Sequence, residues 1–122
     1  MNKTIEFIFD FGSPNAYLSY FTVKDVAERT GAQLKITPCL LGGIFKSTNN
    51  QPPMMNFAGV SGKNAMFGRE IERYCDRHGL NKFAMNPNFP VNTLLLMRAC
   101  VAYGRDNDCL LYTSDAADDC EG

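Results

Sequence analysis

Residues 4–37 read TIEFIFDFGSPNAYLSYFTVKDVAERTGAQLKIT and predict a strand, a helix and a second strand. Residues 4–11 are rich in β-branched and aromatic types with partial alternation, which is typical of a strand. Residues 33–37 alternate again after the helix. Two strands joined by one helix through short connections form a βαβ unit, whose strands are parallel and whose crossover is right-handed.

The helix is predicted over residues 14–30 from signals at both of its ends. Ser13 suits the N-cap, and Pro14 suits the first helical position, where a missing N–H has no cost. Gly31 suits the position that follows a helix. Four residues form the apolar stripe that this helix should bury: Ala16, Tyr20, Val23 and Ala27. Since neither strand alone covers its apolar faces, a larger sheet is implied.

Helices are predicted for most of the remaining chain. A short turn is expected at residues 44–47 and a strong helix at 61–78, ended by Gly79. Asn92 is expected to cap a third helix that runs to Tyr103 and is followed by Gly104. Because that helix is apolar nearly all round apart from Arg98, we expect it to be buried.

Composition restricts the class of protein. The chain has 122 residues, 45% of them hydrophobic, and a formal net charge of -1. These values indicate one ordinary globular domain and argue against a nucleic acid or a membrane surface as partner. Five cysteines occur without a C-x-x-C pair, which argues against a zinc site or a dithiol motif. No signal peptide is recognisable, so we expect a cytoplasmic protein with free thiols.

The last segment differs in character from the rest. Residues 109–119 read CLLYTSDAADD and resemble the in-frame translation of a transposon adapter used in DNA sequencing libraries. A natural acidic tail is the alternative. We therefore predict that residues 109–122 are a non-native tail.

Three segments, taken together and in order, resemble one enzyme family. They are FIFDFGSP at 7–14 followed by Tyr17-Leu18, GGIFK at 42–46 leading into NQPP at 50–53, and NFPVNT at 88–93 leading into Met97-Arg98. The pattern is similar to that of the 2-hydroxychromene-2-carboxylate isomerases and the kappa-class glutathione transferases. The resemblance covers about the first 108 residues.

The resemblance implies an α/β, thioredoxin-like fold related to DsbA and interrupted by a helical domain. Residues 1–60 would form the N-terminal half of the thioredoxin-like domain, and residues 61–108 would begin the helical insertion. The later strands and the cis-proline loop of the family would follow beyond residue 108. We therefore expect the 122-residue chain itself to be truncated and inactive.

The resemblance also implies a glutathione site. Ser13 would contact the sulfur of glutathione, at a helix end whose partial positive charge favours a thiolate. Asn50 would contact the peptide backbone of glutathione, and Lys63 its glycyl carboxylate. Local sequence offers a plainer interpretation of each: a helix cap for Ser13, a loop bonded to its own backbone for Asn50, and a solvated surface lysine for Lys63.

Phe89 and Asn92 are the candidates for binding the second substrate. In the family pattern Phe89 would supply an apolar wall and Asn92 a polar contact, although local sequence favours helix capping for Asn92. Ala16 stands where a second active-site cysteine would be, which excludes dithiol exchange within this motif. Cys39, Cys75 and Cys100 are predicted to be packing residues.

These observations predict a glutathione-dependent isomerase for aromatic breakdown intermediates such as 2-hydroxychromene-2-carboxylate. A kappa-class transferase or peroxidase is one alternative, and a non-catalytic thioredoxin-like binding module or inactive fragment is another. The expected partners are a small-molecule substrate and, in the full-length protein, a second copy of the chain. Metal is not expected.

Overall fold

The computed structural model describes residues 2–107, which combine helices with a small parallel sheet and confirm the predicted α/β class. The elements in chain order are β1 (Thr4–Phe9), α1 (Pro14–Thr30), β2 (Gln33–Pro38), α2 (Leu41–Ser47), α3 (Pro53–Asn56), α4 (Lys63–His78) and α5 (Leu94–Asn107). The short α3 was not predicted, since residues 49–53 have the composition of a loop.

The βαβ unit is confirmed. Strands β1 and β2 pair in parallel, in a register that runs from Thr4 opposite Gln33 to Phe9 opposite Pro38. The prediction that β1 continues to residue 11 is wrong, because the chain turns at Asp10. The carboxyl ends of both strands lie at the same edge of the sheet, so the segments that follow them are neighbours there.

Helix α1 has the predicted bounds. Gly31 adopts the left-handed conformation with φ of 67°, and the next N–H, of Ala32, donates to the Ala27 carbonyl at 3.0 Å. Ala27 and Leu18 are the buried residues of this helix. Leu18 lay outside the predicted stripe, while the ring of Tyr20, which lay within it, is 6.4 Å from that of Phe7 on β1.

The predictions for α5 were partly wrong. The helix continues through Gly104 to Asn107 and is not buried all round. It packs against β2 through one side, where Met97 and Cys100 are buried, while the side chain of Leu95 is 79% exposed. An apolar composition alone does not bury a helix, because burial also needs elements on every side.

The segment between β2 and α5 forms a compact unit of its own, from Leu41 to Phe89. Its long helix α4 starts two residues later than predicted, after Gly62, and Gly79 ends it with φ of 67°. The predicted apolar stripe of α4 is half-buried at its first four members and exposed at the last: Phe67, Ile71, Tyr74, Cys75 and His78.

Within the described residues, the other compact unit consists of the chain up to Leu40 and of the segment from Pro90 to Asn107. The two compact units are defined by the contacts between their residues. The domain boundaries predicted at residues 60 and 108 stay predictions. The segment 109–122 lies outside the described residues. No helix within residues 2–107 is long and apolar enough to cross a membrane.

Candidate functional site

Asp10 closes the turn between β1 and α1. Its Oδ1 accepts a hydrogen bond from the Gly12 N–H at 2.8 Å, and its backbone carbonyl accepts one from the Ser13 N–H at 3.0 Å. Aspartate commonly forms turns by bonding the backbone two residues on. These two bonds end the strand and place Ser13 at the start of α1.

Ser13 caps α1, as its sequence context predicts. The residue is extended, with φ of -100° and ψ of 112°, and its Oγ accepts a hydrogen bond from the Ala16 N–H at 3.1 Å. Its carbonyl accepts the Tyr17 N–H at 3.0 Å, and Pro14 is the first residue of the helix. One of the free N–H groups at the helix start is therefore satisfied by the serine itself.

The Ser13 hydroxyl keeps its capacity to donate a hydrogen bond. A serine hydroxyl accepts through its lone pairs and donates one proton. The bond from Ala16 uses a lone pair, and no group described in residues 2–104 accepts the proton. Since Ser13 is only half-buried, a ligand atom that carries negative charge can accept this proton at the positively polarised end of α1.

Ala16 lies one helical turn after Ser13, and its N–H is the group that Ser13 caps. Neither residue carries a thiol. The turn therefore has no pair of sulfurs that could cycle between dithiol and disulfide. Any sulfur chemistry at this helix end requires a thiol brought by a ligand.

A buried hydrogen bond ties the Ser13 turn to the start of α5. The Thr93 hydroxyl donates to Asp10 Oδ1 at 2.6 Å, and the two residues are 7% and 4% exposed. Hydrogen bonds to charged groups are about twice as strong as neutral ones. Asp10 thus holds the turn from both sides, through Gly12 in its own loop and through Thr93, 83 residues further along the chain.

Gly12 lies in tight contact with Thr93 and Asp10, so a side chain at this position would crowd both residues. A Cβ built on Gly12 would lie 3.2 Å from Thr93 Cγ2 and 3.3 Å from Asp10 Oδ1. Sequence reasoning missed the pairing of Asp10 with Thr93. The only sequence signal for this pairing is that Asp10 lies in FDFGSP and Thr93 in FPVNT, which are both parts of the family-like pattern.

Asn50 is bonded within its own loop. Its Oδ1 accepts hydrogen bonds from the Gln51 N–H at 3.0 Å and from Asn56 Nδ2 at 3.2 Å. The carbonyl end of the side chain is therefore used locally, in line with the plainer interpretation. The amide NH₂ of Asn50 donates to no group in the described part of the chain, so it remains able to bind a ligand carbonyl.

Lys63 is the first residue of α4, directly after Gly62. Its Nζ lies 5.3 Å from the centroid of the Phe57 ring, a distance at which a cation is attracted to the ring face. Among the described residues no carboxylate pairs with it. An unpaired ammonium group beside a helix N-terminus is chemically suited to bind a carboxylate.

Phe89 and Asn92 fall in different compact units. Phe89 is half-buried at the end of one unit, and its N–H donates to the Asn86 carbonyl at 3.0 Å. Asn92 is exposed, and its Oδ1 accepts the Leu94 N–H at 3.0 Å, so it caps the start of α5. Asn92 also directly precedes Thr93, which places it next to the residue that holds the Ser13 turn.

The environments of Cys39 and Cys100 favour neutral thiols. Burial raises the pKa of the Cys100 thiol from 9.0 to about 11, and this residue is 0% exposed. Burial, and secondarily the charge of Asp10, raises the pKa of Cys39. Because folding favours the neutral form of Cys100, its contribution to stability is present below pH 9 and declines as the pH rises through 11.

Cys100 is therefore expected to resist alkylation. With iodoacetamide at pH 8, we expect it to react at least about 100-fold more slowly in the folded chain than in urea, because both the thiolate fraction and access are low. Mass spectrometry of peptides after timed quenching measures this rate, with Cys75 as the half-buried comparison. Equal rates in the folded and unfolded chain would show that Cys100 is an accessible thiol.

Comparison with known proteins identifies a family match. The model of the DsbA-like thioredoxin domain matches residues 4–114, which is most of the chain. Searches among curated proteins and among solved structures found no significant match.

Proposed function

The chain belongs to the family of DsbA-like thioredoxin domains, and from this premise we propose that it is a glutathione-dependent isomerase. Membership confirms the predicted thioredoxin-like fold and indicates a redox or glutathione-related role. The family includes oxidoreductases, isomerases and glutathione transferases. The substrate that we propose is 2-hydroxychromene-2-carboxylate or a similar carboxylated intermediate of aromatic-ring breakdown.

The observation that carries the proposal is the free hydroxyl proton of Ser13 at the start of α1. In the family pattern that this sequence resembles, Ser13 stands where thioredoxin-fold oxidoreductases have an active-site cysteine. Its hydroxyl accepts a hydrogen bond from the Ala16 N–H and can still donate one to a ligand. This arrangement suits the binding of a thiolate supplied by another molecule. Since Ala16 also lacks sulfur, an internal disulfide mechanism at this turn has no chemical basis.

The energetics are adequate for that role. A free thiol with a pKa of about 8.5 is mostly protonated at pH 7, so the site must stabilise the anion. Lowering the thiol pKa by about two units requires about 2.7 kcal/mol. A partly buried helix end contributes up to ~2 kcal/mol, and a hydrogen bond to a charged group about 1.5–3 kcal/mol. Ser13 and the start of α1 together reach the required amount.

The groups of this chain fit the rest of glutathione by their chemistry. The free NH₂ of Asn50 suits a peptide carbonyl, and the unpaired ammonium of Lys63 suits a carboxylate. When bound, glutathione supplies a thiolate that adds to a conjugated carbon of the substrate and leaves unchanged after bond rotation. Ser13 holds the sulfur as an anion, and Phe89 and Asn92 are proposed to contact the second substrate. We place this chemistry in the cytoplasm, where thiols stay reduced.

The direct test is turnover of 2-hydroxychromene-2-carboxylate, followed by absorbance in the complete gene product. We expect isomerisation that depends on glutathione and is at least about 100-fold slower with S-methylglutathione, which has no thiol to ionise. Equal rates with and without glutathione would refute the proposal. A faster reaction with a halogenated nitrobenzene than with the chromene would instead favour the kappa-class transferase.

A further inference from the structure

An apolar patch is exposed on the segment that runs from α3 into the first turn of α4. Met55 is 57% exposed, and four more large apolar side chains of this segment are exposed with it: Met54, Phe57, Val60 and Met66. We call these five side chains the methionine patch. Single exposed apolar residues are ordinary on a protein surface, whereas a contiguous group of them marks an interaction site.

Local hydrogen bonds hold the methionine patch together. The Met54 carbonyl accepts a bond from Asn64 Nδ2 at 3.2 Å, which ties α3 to the start of α4. Between these two helices the Val60 N–H donates to the Phe57 carbonyl at 3.0 Å, and the Lys63 N–H donates to the Val60 carbonyl at 3.2 Å. The five side chains therefore lie on one folded segment, inside the compact unit from Leu41 to Phe89.

The charges that accompany the methionine patch are positive. Residues 41–69 contain three basic residues and no acid: Lys46, Lys63 and Arg69. Lys63 lies at the patch itself, since its Nζ is 5.3 Å from the centroid of the Phe57 ring. Among the described residues no carboxylate pairs with this ammonium group. A partner that complements this surface therefore carries negative charge next to apolar side chains.

From this combination we infer that the methionine patch docks an acidic amphipathic helix of another protein. Methionine side chains are unbranched and polarizable, so they adapt to the apolar face of a helix, as they do in helix-binding grooves. The acidic side chains of the docked helix lie beside Lys63. A membrane surface fits less well, because interfacial segments rely on tryptophan and several basic residues, and the patch has no tryptophan and one lysine.

Docking at this patch does not rest on the proposed function. Lys63 is also the residue proposed to bind the glycyl carboxylate of glutathione, and one ammonium group serves one of these carboxylates at a time. A docked helix therefore competes with glutathione at Lys63. Only this competition rests on the proposed function, whereas binding of the helix requires no glutathione.

The test uses three fluorescein-labelled peptides of about 18 residues, long enough to form a helix on binding. The acidic peptide has leucine on one helical face and glutamate on the other, the basic peptide has lysine in place of glutamate, and the third is the acidic peptide in scrambled order. Fluorescence anisotropy is measured with the 122-residue chain without glutathione. We expect the acidic peptide to bind at least about tenfold more tightly than either of the others.

Two variants test the parts of the surface separately. Met55→Glu places a charge in the centre of the methionine patch and should weaken the acidic peptide at least about tenfold. Leu95→Glu is the matched control, because Leu95 is 79% exposed on α5, outside the patch, and its substitution should leave the affinity unchanged. Lys63→Gln should weaken the acidic peptide about two- to fivefold, as expected for an exposed ion pair.

Four results would overturn the inference. The acidic peptide could bind no better than the basic or the scrambled one, or Met55→Glu could bind it as well as Leu95→Glu does. Vesicles of phosphatidylserine could bind the chain more tightly than the peptide does, which would make the patch a membrane surface. A chain that sediments as a dimer and becomes monomeric in Met55→Glu would show that a second copy occupies the patch.

Failure of the glutathione site would be visible separately. We expect saturating glutathione to weaken the acidic peptide in the unsubstituted chain and to have no effect in Lys63→Gln. Selective binding of the acidic peptide that glutathione does not change would confirm the docking surface and reject Lys63 as a ligand of glutathione.

Discussion

Ser13→Gly is expected to lower kcat/KM for the glutathione-dependent reaction about 10- to 150-fold while changing the free energy of unfolding by only a few tenths of a kcal/mol. The loss of activity follows from removing a hydrogen bond to a charged sulfur, worth about 1.5–3 kcal/mol, since each 1.36 kcal/mol is tenfold in rate. Stability is nearly kept because glycine is an acceptable N-cap. Kinetics on the complete gene product and urea unfolding of the same variant measure the two effects.

Two further substitutions separate the role of Ser13 in capping from its role at the sulfur. Ser13→Ala removes both the cap and the hydroxyl, so we expect the same loss of activity with about 1 kcal/mol less stability. Ser13→Asp keeps a good cap but places a negative charge where a thiolate should bind, so it should be stable and inactive. Full activity in the glycine variant, with a defect confined to alanine, would reduce Ser13 to a helix cap.

Thr93→Val is expected to lower the free energy of unfolding by about 1.5–3 kcal/mol. The substitution removes the hydroxyl that donates to buried Asp10 at 2.6 Å and leaves that carboxylate with one donor fewer. We also expect KM for glutathione to rise, because the turn that positions Ser13 loses its attachment to α5. Urea unfolding, read as a shift of the midpoint at unchanged slope, measures the first effect.

Thr93→Ser is the matched control for that prediction. It keeps the hydroxyl and removes only the methyl group that lies close to Gly12, so it should cost less than about 1.5 kcal/mol. A double-mutant cycle with Asp10→Asn should give a coupling energy of at least about 0.5 kcal/mol. Equal stability of the valine and serine variants would mean that the hydrogen bond between Thr93 and Asp10 does not hold the turn.

Local sequence signals predicted the βαβ unit well. The cap residues Ser13, Gly31 and Gly79 act within one helical turn of their own position, and the structure has each of them where the sequence predicted. The parallel pairing of β1 with β2 follows from the short connections around a single helix. Such features depend on neighbours in the chain, which is why one sequence is enough to find them.

The residues that support the candidate site depend on distant partners. Asp10 and Thr93 are 83 residues apart, and neither has a local pattern that predicts a buried hydrogen bond. The exposure of Leu95 was missed for a similar reason, because helix composition does not say which neighbours are present to cover it. The sequence was therefore enough to identify Ser13 at the start of α1. The hydrogen bond between Thr93 and Asp10, which holds the Ser13 turn, is visible only in the three-dimensional structure.

The most direct test of the account is the pKa of the glutathione thiol bound to the complete gene product, measured from thiolate absorbance in the ultraviolet. We predict a pKa about two units below that of free glutathione, and a shift back towards the free value of at least about one unit in Ser13→Gly. A bound thiol with the same pKa as free glutathione, or the same pKa in both proteins, would contradict the role of the Ser13 hydroxyl.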